Sequence, residues 1–109
     1  MLKLPKVYNA SGLRLKIKPS ATLETAGATF FNSEEILIDK GCLDEDLSVV
    51  EVLLHEMLES SLWLAGHRYV SRCGGTSTEY LFSLNHKEFQ VVVGEVARGM
   101  LDLIEAQKK

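Results

Sequence analysis

Apolar residues recur at every second position from Leu13 to Ile17, with Arg14, Lys16 and Lys18 between them. From Val50 to Ala65 they recur at every third or fourth position. The first spacing belongs to a half-buried strand and the second to a helix packed along one face. A chain of 109 residues has room for one hydrophobic core, so strand and helix must share it. The expected fold is α+β, with residues 1–109 forming a single domain.

Further elements follow from local chemistry. Gly27-Ala-Thr-Phe-Phe31 reads as a strand, Asn32-Ser-Glu-Glu35 as a turn, and Ile36-Leu-Ile-Asp39 as the returning strand, closed by Lys40-Gly41. Ser48-Val-Val-Glu51 has the form of a capping box, with Leu47 and Val52 as its hydrophobic staple. It predicts a helix whose inward set is Val50, Leu53, Leu54, Met57, Leu58, Ser61 and Ala65, stopped at Gly66. Residues 69–84 predict a second hairpin or long loop around a Cys73-Gly-Gly-Thr-Ser77 tip. Asn85 predicts the cap of a last helix to about Ala106, with Phe89, Val92, Val93, Val96, Met100, Leu101 and Ile104 inward. The expected architecture is a small antiparallel sheet with hairpins, packed on two long helices.

Composition narrows the function classes. The 46% hydrophobic and 25% charged fractions are those of a globular protein. A net charge of −3 argues against a nucleic-acid binder that works by neutralising phosphates. No apolar run approaches the length of a membrane span, and the first residues lack the apolar core of a secretory signal. Cys42 and Cys73 do not make a disulfide framework. These features predict a cytoplasmic domain. Charge is uneven: Lys3, Lys6, Arg14, Lys16 and Lys18 stand without an acid up to residue 20, whereas Ser33 to Glu59 is strongly acidic. Both stretches are ordinary solvated faces unless ligands lie among them; an acidic field would draw a cation toward the middle of the chain.

Ligand-type residues do lie there. In Leu53-Leu-His-Glu-Met-Leu-Glu59, His55 and Glu59 stand one helical turn apart, so both side chains can reach one metal ion. Glu56 is the next residue around the helix, where a general base would take a proton from water. The usual zinc-peptidase device is His-Glu-x-x-His; here Glu59 replaces the second histidine. A further histidine would restore a set of two imidazoles and one carboxylate. His86, opening the last helix, is better placed than His67, just past Gly66. The rival reading is that His55, Glu56 and Glu59 are ordinary surface groups, Trp63 and Met57 core, and the two cysteines incidental, although Cys73 on a loop would suit zinc as a soft ligand.

The wider context resembles a known family. Ala26-Gly-Ala-Thr-Phe-Phe-Asn-Ser-Glu-Glu-Ile-Leu-Ile-Asp39, an acidic linker, and then Val49-Val-Glu-Val-Leu-Leu-His-Glu56 are similar to the minimal zincin-type metallopeptidases, which include small phage and mobile-element proteins. The match covers residues 26–60 and only loosely the rest. The resemblance implies a zincin-like fold with His55 and Glu59 as zinc ligands and Glu56 as general base. It also implies a third ligand from the following helix, at His86 or else Glu88, and a strand along the cleft edge that pairs with an extended peptide. Residues 36–38 are the natural choice for that strand.

Two functions follow. One is a zinc-dependent hydrolase, most simply a peptidase using metal-activated water; a His/Glu/His set would equally suit Fe²⁺ or Mn²⁺. The other is a non-catalytic phage or mobile-element protein that uses the same scaffold to grip a target protein. A nucleic-acid contact through the basic strand is a weaker third.

Overall fold

The computed structural model describes residues 1–65 and 84–109 in full; between them it describes the backbone of two short strands. The elements are β1 (Val7–Ala10), β2 (Leu13–Ser20), β3 (Gly27–Phe30), β4 (Glu35–Asp39), a 3-10 turn (Lys40–Cys42), α1 (Asp46–Leu64), β5 (Arg68–Val70), β6 (Tyr80–Phe82) and α2 (His86–Ala106). The α+β class is as expected. Strands β5 and β6 pair antiparallel, as a hairpin requires. Gly66, the tip at 71–79 and His67 lie outside the described residues.

The main sheet runs in the order β1-β2-β4-β3. It is mixed rather than antiparallel: β1–β2 and β3–β4 are antiparallel hairpins, and β2 lies parallel to β4 with Ile17 opposite Ile36. The returning strand of the second hairpin docks beside β2, which sends β3 to the sheet's edge. Strand β1 lies outside every expected element. It is joined to β2 by the two-residue turn Ser11-Gly12, both residues having positive φ, as a tight hairpin needs.

One sheet face is apolar because the strands alternate. Tyr8, Ala10, Leu15, Ile17, Ile36 and Ile38 point inward and meet Leu53 and Met57 of α1 and Leu103 of α2. Arg14, Lys16 and Lys18 occupy the exposed face, where Lys18 Nζ is 2.7 Å from Glu35 Oε2. The basic strand is therefore a solvated surface, partly neutralised by its own sheet.

Both helices bury a face that overlaps the expected one in part: Leu53, Met57 and Ser61 of α1 and Val92 of α2 are inside as expected, and the rest of each face is rotated. Helix α1 begins at Asp46 with Glu45 as N-cap and no side-chain cap, so Ser48 and Glu51 lie inside the helix and form no capping box. Leu47, expected in the staple, is 63% exposed. The buried residues of α1 are Val49, Leu53, Glu56, Met57, Ser60 and Ser61, whereas Leu54 and Leu58 are exposed. The apolar letters misplace the buried face because it includes three polar residues. In α2, Asn85 is the cap as expected: its side chain accepts from Glu88 N–H at 2.8 Å, and Glu88 accepts from Asn85 N–H at 3.1 Å. Its buried line, however, is Val92, Gly99 and Leu103, with Val96 and Met100 half-buried. Phe89, Val93, Leu101 and Ile104 are exposed. The closest approach of α2 to the core is through Gly99, against Tyr8 and Met57, and that narrows the stripe it can bury.

The polar residues inside are paired. The Tyr8 hydroxyl lies 2.5 Å from Ser61 Oγ, Ser61 donates to Glu95 Oε1 at 2.8 Å, and the other Glu95 oxygen accepts from Ser11 N–H at 2.6 Å. With Ser61 donating to the carboxylate, Tyr8 donates to Ser61. Burial pushes the phenol up to about 12, so it keeps that proton. The chain ensures in this way that β1, α1 and α2 meet with their polar groups satisfied.

The segment before β1 is tied to one end of the helical layer, where the start of α1 lies beside the end of α2. Leu2 N–H donates to Asp46 Oδ1 at 3.1 Å, and Gln107 bonds Lys3 through both amide atoms, at 2.9 and 2.7 Å. Gln107→Ala removes both bonds at an exposed site, and we expect a loss of about 1 kcal/mol, read from the urea midpoint at unchanged slope.

Candidate functional site

Helix α1 carries Glu51, His55, Glu59 and Trp63 at four-residue spacing, a single ridge along its surface. The adjoining row, Val52, Glu56 and Ser60, turns toward β3. Three contacts fix how strand and helix lie. At Gly27 a side chain would collide with Val52 and crowd Glu56. Thr29 Oγ1 donates to Glu56 Oε1 at 2.8 Å. Phe31 stacks on Trp63 with ring centroids 5.8 Å apart. Strand and helix therefore advance in the same direction, side by side.

The trough between them is the candidate site. A cleft of about 490 Å³ is lined by Ala28, Thr29, Phe31, Glu59, Ser60 and Trp63 together with Thr25, Gly27, His55 and Glu56. The last four also line a neighbouring hollow of about 330 Å³ that continues to Glu51 and Val52. The two hollows thus form one groove that passes on both sides of His55 and Glu56. Its strand wall is β3, the edge of the sheet, and among the described residues no strand pairs with the outer side of β3. Residues 36–38 do not provide that edge: β4 is paired on both sides, with β2 and with β3.

His55, Glu56 and Glu59 come together in the middle of the groove. His55 Nε2 stands 2.9 Å from Glu59 Oε2 and 3.8 Å from Glu56 Oε2. His55 is largely exposed and Glu59 half-buried, but Glu56 is only 6% exposed. Burial pushes its carboxyl above the ordinary range; the Thr29 hydrogen bond and His55 pull it back, and Glu59 adds to the rise. The result is a buried carboxylate that holds a proton more readily than a surface glutamate does. One oxygen is fixed by Thr29 and the other is turned toward His55.

Two atoms bound to one tetrahedral zinc at about 2.0–2.2 Å are about 3.3 Å apart. His55 Nε2 and Glu59 Oε2 stand at 2.9 Å, a direct hydrogen-bond distance, so the two would have to part by a few tenths of an ångström to share a metal ion. His86 is the exposed first residue of α2, and Glu88 is engaged in the cap. Among the described residues no group of three His, Cys, Asp or Glu side chains is arranged to hold a metal ion. His67 and Cys73 lie outside those residues. Cys42 is a free, half-buried thiol on the 3-10 turn.

Trp63, expected in the core, is instead 40% exposed and lines the groove, whereas Met57 is fully buried. Thr29 and the Phe31–Trp63 pair carry no motif of their own. The four-residue spacing from Glu51 to Trp63 is the signal that would have found the ridge. No described helix is long and apolar enough to cross a membrane. No family model, curated protein or solved structure matches this chain.

Proposed function

We propose that the protein is a zinc-dependent hydrolase of zincin-like design, acting on an amide bond of an extended peptide. The observation that carries this reading is the buried Glu56, with its raised carboxyl pKa, beside a His55–Glu59 pair in a groove edged by β3, whose outer side is unpaired among the described residues. His55 and Glu59 would hold the metal; His86 is carried away from them, because the Ser61–Glu95 and Met57–Gly99 contacts run α2 antiparallel to α1 and place its first residue past the far end of α1. Zinc in such a site supplies a Lewis acid that makes water nucleophilic near neutral pH.

The remaining work falls to this chain's own groups. Glu56 Oε2 accepts a proton from the attacking water and returns it to the leaving amine, which a carboxyl raised above its ordinary value does better than an unshifted one. Thr29, bonded to Oε1, keeps the other oxygen turned to the groove. The outer edge of β3 offers backbone groups to an extended peptide, the recognition mode open to any unpaired strand.

Elemental analysis of chelator-free protein tests the reading. We expect one zinc per chain in the wild type and in His86→Ala, and none in His55→Ala or Glu59→Ala; chelation should lower the melting temperature as well, since the unfolded chain has no preformed site. A wild type without metal after zinc is added back would overturn it. That result would favour the second reading, a non-catalytic module that grips a target in the same groove. Its support is that among the described residues no three His, Cys, Asp or Glu side chains are arranged to hold a metal ion.

A further inference from the structure

The groove differs at its two ends. Beyond Glu59 it closes on the stacked rings of Phe31 and Trp63; on the other side of His55 it opens beside Glu51 and Val52. Gly27 and Thr29 face α1 as alternate residues of β3, and Phe31, in the turn just past its end, faces α1 as well. A peptide laid along β3 therefore sends every second side chain into the groove. The ridge from Glu51 to Trp63 rises about 18 Å at 1.5 Å per helical residue. Side chains four positions apart in an extended peptide share a face and lie about 13 Å apart; the stem of a lysine spans the remainder.

We infer that the groove selects an extended peptide by two side chains: a bulky apolar or aromatic residue against Phe31 and Trp63, and a basic residue at Glu51, four positions away on the same face. The aromatic pair supplies flat apolar surface, on which an aromatic side chain gains from stacking as well as from burial. At the other end Glu51, exposed beside the hollow that it shares with Glu56, sets a negative field that favours lysine or arginine and disfavours acids. The inference rests on reading the cleft as a peptide groove, and needs neither bound metal nor hydrolysis.

Trp63 is the only tryptophan in the chain, so its emission reports on this end of the groove. The probes are blocked, dye-labelled octapeptides of serine and threonine carrying one phenylalanine and one lysine four positions apart, in either order. They are titrated into the full chain by anisotropy, with Trp63 emission followed in parallel. In one of the two orders we expect binding at least about tenfold tighter than after Phe→Ser or Lys→Glu in the peptide, accompanied by a change in Trp63 emission. In the Glu51→Lys protein the charge preference should reverse, while binding still depends on the phenylalanine.

Equal binding of all peptides would overturn the selectivity and leave the groove standing. No binding by any of them would overturn both. Mass spectrometry of the recovered peptides reports cleavage separately, so failure of the selectivity and failure of the hydrolase reading are told apart.

Discussion

Valine at position 99 should lower the unfolding free energy by about 3 kcal/mol, the upper range for forcing side-chain atoms into a filled interior. Already its first carbon would stand 2.6 Å from Met57 Sδ and 2.7 Å from Tyr8 Cε1. Met57 is flexible but fully enclosed, and the Tyr8 ring is held by its hydroxyl on Ser61. The collision therefore has to be relieved by moving α2 away from β1 and α1, which also loosens the Tyr8–Ser61–Glu95 chain. Gly94, in the same helix, meets nothing within 4 Å. There alanine should stabilise by about 1 kcal/mol, through helix propensity alone. Opposite signs at two glycines of one helix, measured by urea unfolding, check the packing; a Gly99→Val protein as stable as the wild type would contradict it.

Glu56→Gln should separate stability from activity. Removal of the proton acceptor is expected to slow hydrolysis by about 10²- to 10⁴-fold with metal content unchanged. Folding should gain. A carboxyl whose pKa is raised on folding binds its proton more tightly in the native state. Its ionised form therefore weakens the fold at pH above the folded value, and this penalty fades as pH falls through that value toward the unfolded one. Glutamine cannot ionise and keeps an oxygen for the Thr29 hydroxyl. At neutral pH the variant should accordingly melt higher than the wild type, and the difference should shrink on acidification. Hydrolysis that survived in metal-loaded Glu56→Gln protein would remove Glu56 from the mechanism.

Strand alternation was legible where each face has one character. Leu15 and Ile17 are inside, Lys16 and Lys18 outside, and the 27–39 hairpin forms as its turn residues require. Asn85 was legible because a cap is a local bond between neighbours. The parallel seam between β2 and β4 was not, since nothing within either strand records the direction of its partner. The rotation of α1 was missed for a different reason. Periodicity counts apolar letters, and the buried face of α1 includes Glu56, Ser60 and Ser61, whose polarity is met by Thr29, Met57 O and Glu95. The candidate site was half legible: His55, Glu56 and Glu59 converge as their helical spacing demands, whereas Thr29 and Phe31 reach them from another part of the chain.

The mixed sheet also bears on how the chain folds. Its two hairpins, β1–β2 and β3–β4, join residues close in sequence, and closures of that kind take microseconds. The seam between them joins Lys16 to Glu35 and Ser20 to Asp39, and closes only when one hairpin meets the other in register. Folding is in this sense an assembly of two ready-made ribbons. Substitutions at the seam, at Ile17 or Ile36, act on the slow encounter, whereas those in the Ser11-Gly12 turn act on a step that precedes it.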